Sequence, residues 1–312
     1  MNSHSNAMPA SPLGSQGIAP AVFSAARLMY WSIRREFWEN RSLYIAPLGA
    51  AALFLFGFMI SLIHLPARVR AAAVNPALQY SLFEHSYMLA AGLIMGTTFI
   101  VALFYCLDAL HGERRDRSIL FWKSLPVSDL TTVLSKASVP IFILPAITFA
   151  ITVALWIMMR LLSGAVLLGS GLSWPMEPFH FSLFPMSLML LYHLLGIHGL
   201  WYAPIYGWLI LVSAWARRAA FLWATVPLLA IGIVEKIAFN TSHFANMLAY
   251  RFGGGGEPMG SMGSKATGIE ALLMPNLSVG QFLVSPGLWT GFALAALFLA
   301  LAMRVRRSRG PI

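Results

Sequence analysis

Two histidines sit five residues apart in Tyr192-His-Leu-Leu-Gly-Ile-His198, inside a long apolar run. Ionisable groups in such a setting face a cavity, a partner or water. On a regular α-helix a spacing of five places the two rings about 140° apart, so they are expected not to converge locally. The reading we prefer is a pair of imidazoles lining a polar path or hydrogen-bonded within a bundle. No His-Glu-x-x-His pattern is present, and no metal site is expected. Glu235 and Lys236 lie near the far end of another apolar run; Glu235 joins His193 and His198 as a candidate for a substrate path. Asp108 closes a third run, where the basic residues that follow suffice to hold it. Gly263-Ser-Lys265 superficially suggests a phosphate-binding loop, but the glycine does not directly precede the lysine and no strand-to-helix turn surrounds it. The chain is therefore expected to have no catalytic residues and no bound cofactor of its own.

The elements that position these residues follow from composition. The 312 residues are 58% hydrophobic and 10% charged, with a mean hydropathy of +0.72; soluble domains carry about 25% charge. An all-α polytopic membrane protein is the expectation. The balance of 21 Lys and Arg against 11 Asp and Glu falls at the ends of apolar runs. Lipid headgroups rather than nucleic acid are then the partner. The one cysteine, Cys106, lies within an apolar run and reads as a packing residue.

Residues 1–20 are rich in Ser, Pro, Gly and Asn and read as a disordered tail. From 21 to 43, aromatics alternate with Arg27, Arg34, Arg35, Glu36, Glu39 and Arg41, the pattern of an amphipathic interfacial elbow helix. Six spans are expected at about 44–65, 88–110, 139–162, 183–215, 219–239 and 286–303, each near or above the roughly 20 residues that cross a bilayer. Residues 75–87 read as a loop and interfacial turn. Gly92 and Gly96 form a small-xxx-small face that suits helix packing. Pro140 and Pro145 predict a kink in the third span. The fourth run is too long for one straight span, with Gly196, Gly199 and Pro204 as break points. An outer connection covers 240–285, and a basic tail 304–312.

Placing the N-terminus in the cytoplasm puts most Lys and Arg on that side and leaves Arg68, Arg70, Arg160, Arg251 and Lys265 outside. Both termini and the segment 111–136 are thus expected at the cytoplasmic face of a cell (inner) membrane. That segment is the one place where charge is dense in mid-chain. A short helix from about Asp116 to Ser124, stopped by Pro126, would present Ile119, Leu120, Phe121 and Trp122, with Ser128 or Asp129 capping the next helix.

Residues Glu113-Arg-Arg-Asp-Arg-Ser-Ile-Leu-Phe-Trp-Lys-Ser-Leu-Pro-Val-Ser-Asp-Leu-Thr-Thr-Val-Leu-Ser-Lys136 resemble the coupling region of type-2 ATP-binding-cassette exporter permeases. The elbow helix and six spans fit the same pattern. The resemblance implies a cytoplasmic coupling helix between the second and third spans that docks on a separate nucleotide-binding subunit, which would hold ATP and Mg. It also implies a dimer with a second permease copy or paralogue, and an ATP-driven export function. Under it, Glu113, Arg114, Arg115, Asp116, Arg117, Leu120, Phe121 and Trp122 serve coupling, with Arg34 and Arg35 of the elbow as secondary contacts. The alternative is a polytopic membrane enzyme or ion-coupled carrier that needs no ATPase partner.

Overall fold

The structure, a computed structural model, describes residues 24–71, 76–124, 127–172, 183–253 and 279–309. The expected tail 1–20, the stop at Pro126 and residues 254–278 of the outer connection lie outside the described residues. Among those described, every regular element is helical.

The elbow forms α1 (Ala25–Glu39), whose N-terminus is capped by the Ser24 hydroxyl accepting from the Arg27 N–H. After it come α2 (Ser42–Leu62), α3 (Leu65–Ala71) and α4 (Pro76–Asp108). Leu53 and Phe56 on α2 are 69% and 65% exposed, as expected of a helix whose outer face meets hydrocarbon. Residues 76–87 of the loop expected over 75–87 are instead the first turns of α4. Pro76 opens that helix at a position where its missing N–H costs nothing.

Helices α5 (His111–Arg115) and α6 (Ile119–Ser124) make up the charged segment, and Arg117 between them takes a left-handed backbone conformation at φ 58°. The third span is one continuous run of α7 (Asp129–Ser138), a π-helical turn π1 (Val139–Ile143) and α8 (Leu144–Gly169). Its predicted kink takes the form of this π turn, since a widened turn accommodates the rings and missing donors of Pro140 and Pro145. The fourth run breaks similarly. Helix α9 (Leu183–His193) passes into π2 (Leu194–Trp201) and then α10 (Ala203–Trp215), with Gly196 and Gly199 inside the π segment and Pro204 just after it.

Helix α11 (Ala220–Phe239) crosses back, α12 (His243–Phe252) and α13 (Val279–Val284) cover the far end, and α14 (Pro286–Ser308) returns. Among the described residues, six helical stretches are long and apolar enough to cross a membrane, with α10 as a shorter apolar helix continuing the fourth. The chain is a multi-pass membrane protein.

Two apolar cores stack along the bundle. One surrounds Leu43, Leu110, Tyr206 and Ile210; the other surrounds Ile94, Trp156, Met159 and Leu194. A Cβ on Gly96 would meet nothing within 4 Å in this chain, whereas one on Gly207 would come within 3.3 Å of Ala295 backbone on α14. Tightest is Gly199 of π2, where a Cβ would lie 2.5 Å from the Ile141 carbonyl oxygen of π1. Gly199→Ala is therefore expected to force the two π turns apart and cost about 1–3 kcal/mol. A thermal unfolding midpoint equal to wild type in detergent would show that the contact yields freely.

Candidate functional site

Charge gathers at one end of the bundle, where α1, α5, α7 and the end of α14 meet. Glu36 is placed there because it falls three residues after Ile33 and seven after Met29, on the inward face of α1. Its side chain is fully buried. One carboxylate oxygen accepts from Lys136 Nζ at 2.8 Å and from Arg35 Nη2 at 2.8 Å; the other accepts from the Tyr105 hydroxyl at 2.8 Å. Glu113, on α5, accepts from Arg35 Nη2 at 3.0 Å, pairs with Lys136 Nζ at 3.1 Å, and takes Arg306 Nη2 of α14 at 3.3 Å. Arg306 also pairs with Asp129 at the start of α7. Three carboxylates (Glu36, Glu113, Asp129) and three cations (Arg35, Lys136, Arg306) thus neutralise one another across four helices.

Such groups are tolerable out of water only when paired and hydrogen-bonded. Burial by itself pushes the Glu36 carboxyl up, but Lys136 and Arg35 outweigh it and hold the group below the ordinary glutamate range. The native state therefore binds the ionised form. Its contribution to stability is complete above the pKa of an unfolded glutamate and is lost as pH falls through the depressed native value. Glu39, farther out on α1, shifts upward by burial and works in the opposite sense, but it makes fewer contacts. The expected result is a thermal midpoint that declines below about pH 4. In Glu36→Gln that decline should be shallower; an identical acid limb would remove Glu36 from the explanation.

The residues expected to serve coupling divide by burial. Glu113 and Arg114 are 7% and 3% exposed. Glu113 belongs to the hub, and Arg114 donates to the Ala214 and Ala216 carbonyls at 2.7 and 3.2 Å, tying α5 to the end of α10. Arg115 and Asp116 are exposed and pair with each other at 3.1 Å, while Arg115 also reaches Asp108 at 3.8 Å. Exposed Arg117 turns the chain. On α6, Ile119 is buried, whereas Leu120 and Phe121 are each 60% exposed. Trp122 points back to the hub, its ring 3.9 Å beneath the Arg35 guanidinium. Arg34 faces outward over Trp31 and Trp38 of its own helix. Lys123 Nζ donates to the Arg309 carbonyl at 3.2 Å. Of the two capping candidates, the Ser128 hydroxyl accepts from the Thr131 N–H, and Asp129 is released to Arg306.

The expected substrate-path residues lie elsewhere. Glu235 closes the α11–α12 corner: its carboxylate accepts from the Thr241 hydroxyl and from the His243 and Phe244 N–H groups. His193 and His198 correct the expectation that they diverge. The turn between them is π, not α, and a helix with i→i+5 hydrogen bonds returns a five-residue spacing to the same face. Their rings stand 5.6 Å apart. No group of three or more His, Cys, Asp or Glu arranged for a metal ion occurs among the described residues.

Sequence reasoning passed over Glu36, Lys136, Asp129 and Arg306 as members of one cluster. A carboxylate on the apolar face of an amphipathic helix was the available signal. Comparison with known proteins adds no relative: no family model, no curated protein and no solved structure matches the chain.

Proposed function

We propose that the chain is the membrane-spanning permease subunit of an ATP-binding-cassette exporter. In this reading it pairs with a second permease copy or paralogue and is driven by separate nucleotide-binding subunits at the cytoplasmic face. The observation that carries the reading is α6. It offers Leu120 and Phe121 outward at the end of the molecule where the basic residues collect, within the segment that resembles the exporters' coupling region. A presented aliphatic-aromatic pair with cations around it is how a small interface concentrates binding energy.

Behind that face, Trp122 rests on Arg35 and α5 is pinned through Glu113 and Arg114. A push on α6 would therefore reach α1, α7, α10 and α14 through packed, paired groups rather than through a slack loop. ATP and Mg belong to the partner subunit. In this reading the basic residues at this end favour the cytoplasmic side for it and for both termini.

The test is co-purification of tagged protein in mild detergent. Recovery of a stoichiometric nucleotide-binding ATPase whose hydrolysis survives in the complex is the expected result. Recovery of the permease alone, with substrate moving across vesicles in the absence of ATP, would put an ion-coupled carrier in its place.

A further inference from the structure

Beside α5 the chain turns from α10 into α11 through Ala216-Arg-Arg-Ala219. Arg114 of α5 donates to the Ala214 and Ala216 carbonyls, which sets this corner at the same end of the bundle as the hub. Trp215 before the turn and Trp223 after it are both exposed, and their rings pack edge to face with centroids 4.7 Å apart. The Trp208 indole N–H of α10 reaches across to the Ala224 carbonyl of α11 at 3.1 Å. The corner is braced, so what it presents to the outside is held in place.

What it presents is donors and positive charge. Arg217 and Arg218 are exposed, and neither forms an ion pair among the described residues. The indole N–H groups of Trp215 and Trp223 likewise find no acceptor among them. From Trp215 to Trp223 the sequence holds no acid, and the nearby Asp108 and Asp116 are already engaged by Arg115. Arg217 and Arg309 lie close enough to Arg114 to repel its charge, and the Arg309 carbonyl is held by Lys123 of α6. The hub balances three acids with three bases; this corner adds cation to cation.

Immediately beyond the turn the surface becomes apolar. Phe221, Leu222, Val226 and Leu229 of α11 are exposed, and Ala224 is the one buried residue of that helix. Such a face meets acyl chains, while indoles settle at the level of the headgroups. A soluble anion would answer the arginines and leave the apolar face unmatched. A phospholipid answers both, because its phosphate accepts strongly from guanidinium and N–H donors and its chains continue into hydrocarbon.

We propose that the α10–α11 corner is a binding site for an anionic phospholipid of the leaflet on the hub's side. The phosphate accepts from Arg217, Arg218 and the two indoles, and the chains lie along α11. No covalent bond forms or breaks. A negative charge there offsets the repulsion between Arg217 and Arg114, so the lipid steadies α5 as well as α11. The composition of the bilayer is thereby felt at the charged segment.

The test is native mass spectrometry of the full chain, without ATPase subunits, released from nanodiscs of equimolar phosphatidylglycerol and phosphatidylcholine. Wild type should retain a phosphatidylglycerol that Arg217→Gln with Arg218→Gln loses, the affinity falling roughly thirtyfold for the two charges together. Both arginines are exposed, so the variant should still elute as a single species. Trp215→Phe with Trp223→Phe, which keeps the rings but not the N–H donors, should weaken retention. Arg117→Gln with Arg304→Gln removes equal charge at the same end and should leave the lipid bound; equal loss in both arginine variants would reduce the site to a general field and overturn the proposal. Displacement by excess inorganic phosphate would give the corner to a free anion, and a dimer that keeps no lipid there would give it to a second copy. Either result overturns the proposal as well. With no ATPase present, the outcome is independent of the exporter reading.

Discussion

Lys136→Met is expected to be the most damaging single substitution in the chain, lowering stability by about 3–5 kcal/mol. For a protein of this size that is a fall on the order of 10 °C in the thermal midpoint. The side chain is 3% exposed and is shared by Glu36 at 2.8 Å and Glu113 at 3.1 Å. Methionine fills similar volume, so the loss would come from charge rather than from a cavity. Two buried carboxylates would be left facing each other with Arg35 alone between them. Adding Glu36→Gln restores neutrality, and the double variant should recover about half of the deficit or more, the non-additivity expected of groups in contact. A Lys136→Met protein that melts within a degree or two of wild type would show that water already reaches the hub.

The second large effect belongs to α6 and rests on the exporter reading. Leu120→Ala with Phe121→Ala removes two side chains that are each 60% exposed. Fold stability should change by less than about 1 kcal/mol. If the pair is the core of a small interface, truncation costs at least about 2 kcal/mol of binding, roughly a thirtyfold loss of affinity for the ATPase subunit, and substrate-stimulated hydrolysis should disappear. Trp122→Ala is the informative contrast. Its ring supports Arg35 from within, so it should lower the melting midpoint as well. Normal stimulation in the Leu120–Phe121 double variant would remove α6 from the coupling role.

Hydropathy made the spans legible because a bilayer demands about 20 apolar residues whatever else a helix does. Helix ends were less so: Pro76 reads as a loop residue yet starts α4, because proline suits a first turn as well as it suits a bend. The π turns were hidden for a different reason. Helical period is read from alternation of apolar and polar residues, and Leu194–Trp201 is apolar nearly all round. With no period to read, His193 and His198 were placed by the ordinary 3.6-residue turn and came out on different faces.

The ionic hub was hidden by distance. Arg306 lies 177 residues from Asp129 and 193 from Glu113, and in sequence it was one arginine of a basic tail whose evident purpose was orientation. Glu36 carried the one local clue. Ser128 and Asp129 could be read as capping candidates, but which of them was free to leave the cap depended on Arg306.

The hub is also assembled from both extremes of the described chain. Glu36 and Arg35 emerge from the ribosome early, Glu113, Asp129 and Lys136 next, and Arg306 only after all six spans have been made. Until then the cluster holds three acidic groups against two basic ones and cannot be sealed from water. Helix α14 would thus lock α1 in place, so quality control during biosynthesis has a natural checkpoint at the completion of α14. A chain interrupted shortly before Arg306 should insert the six described spans yet be cleared by proteases far faster than one that includes Arg306.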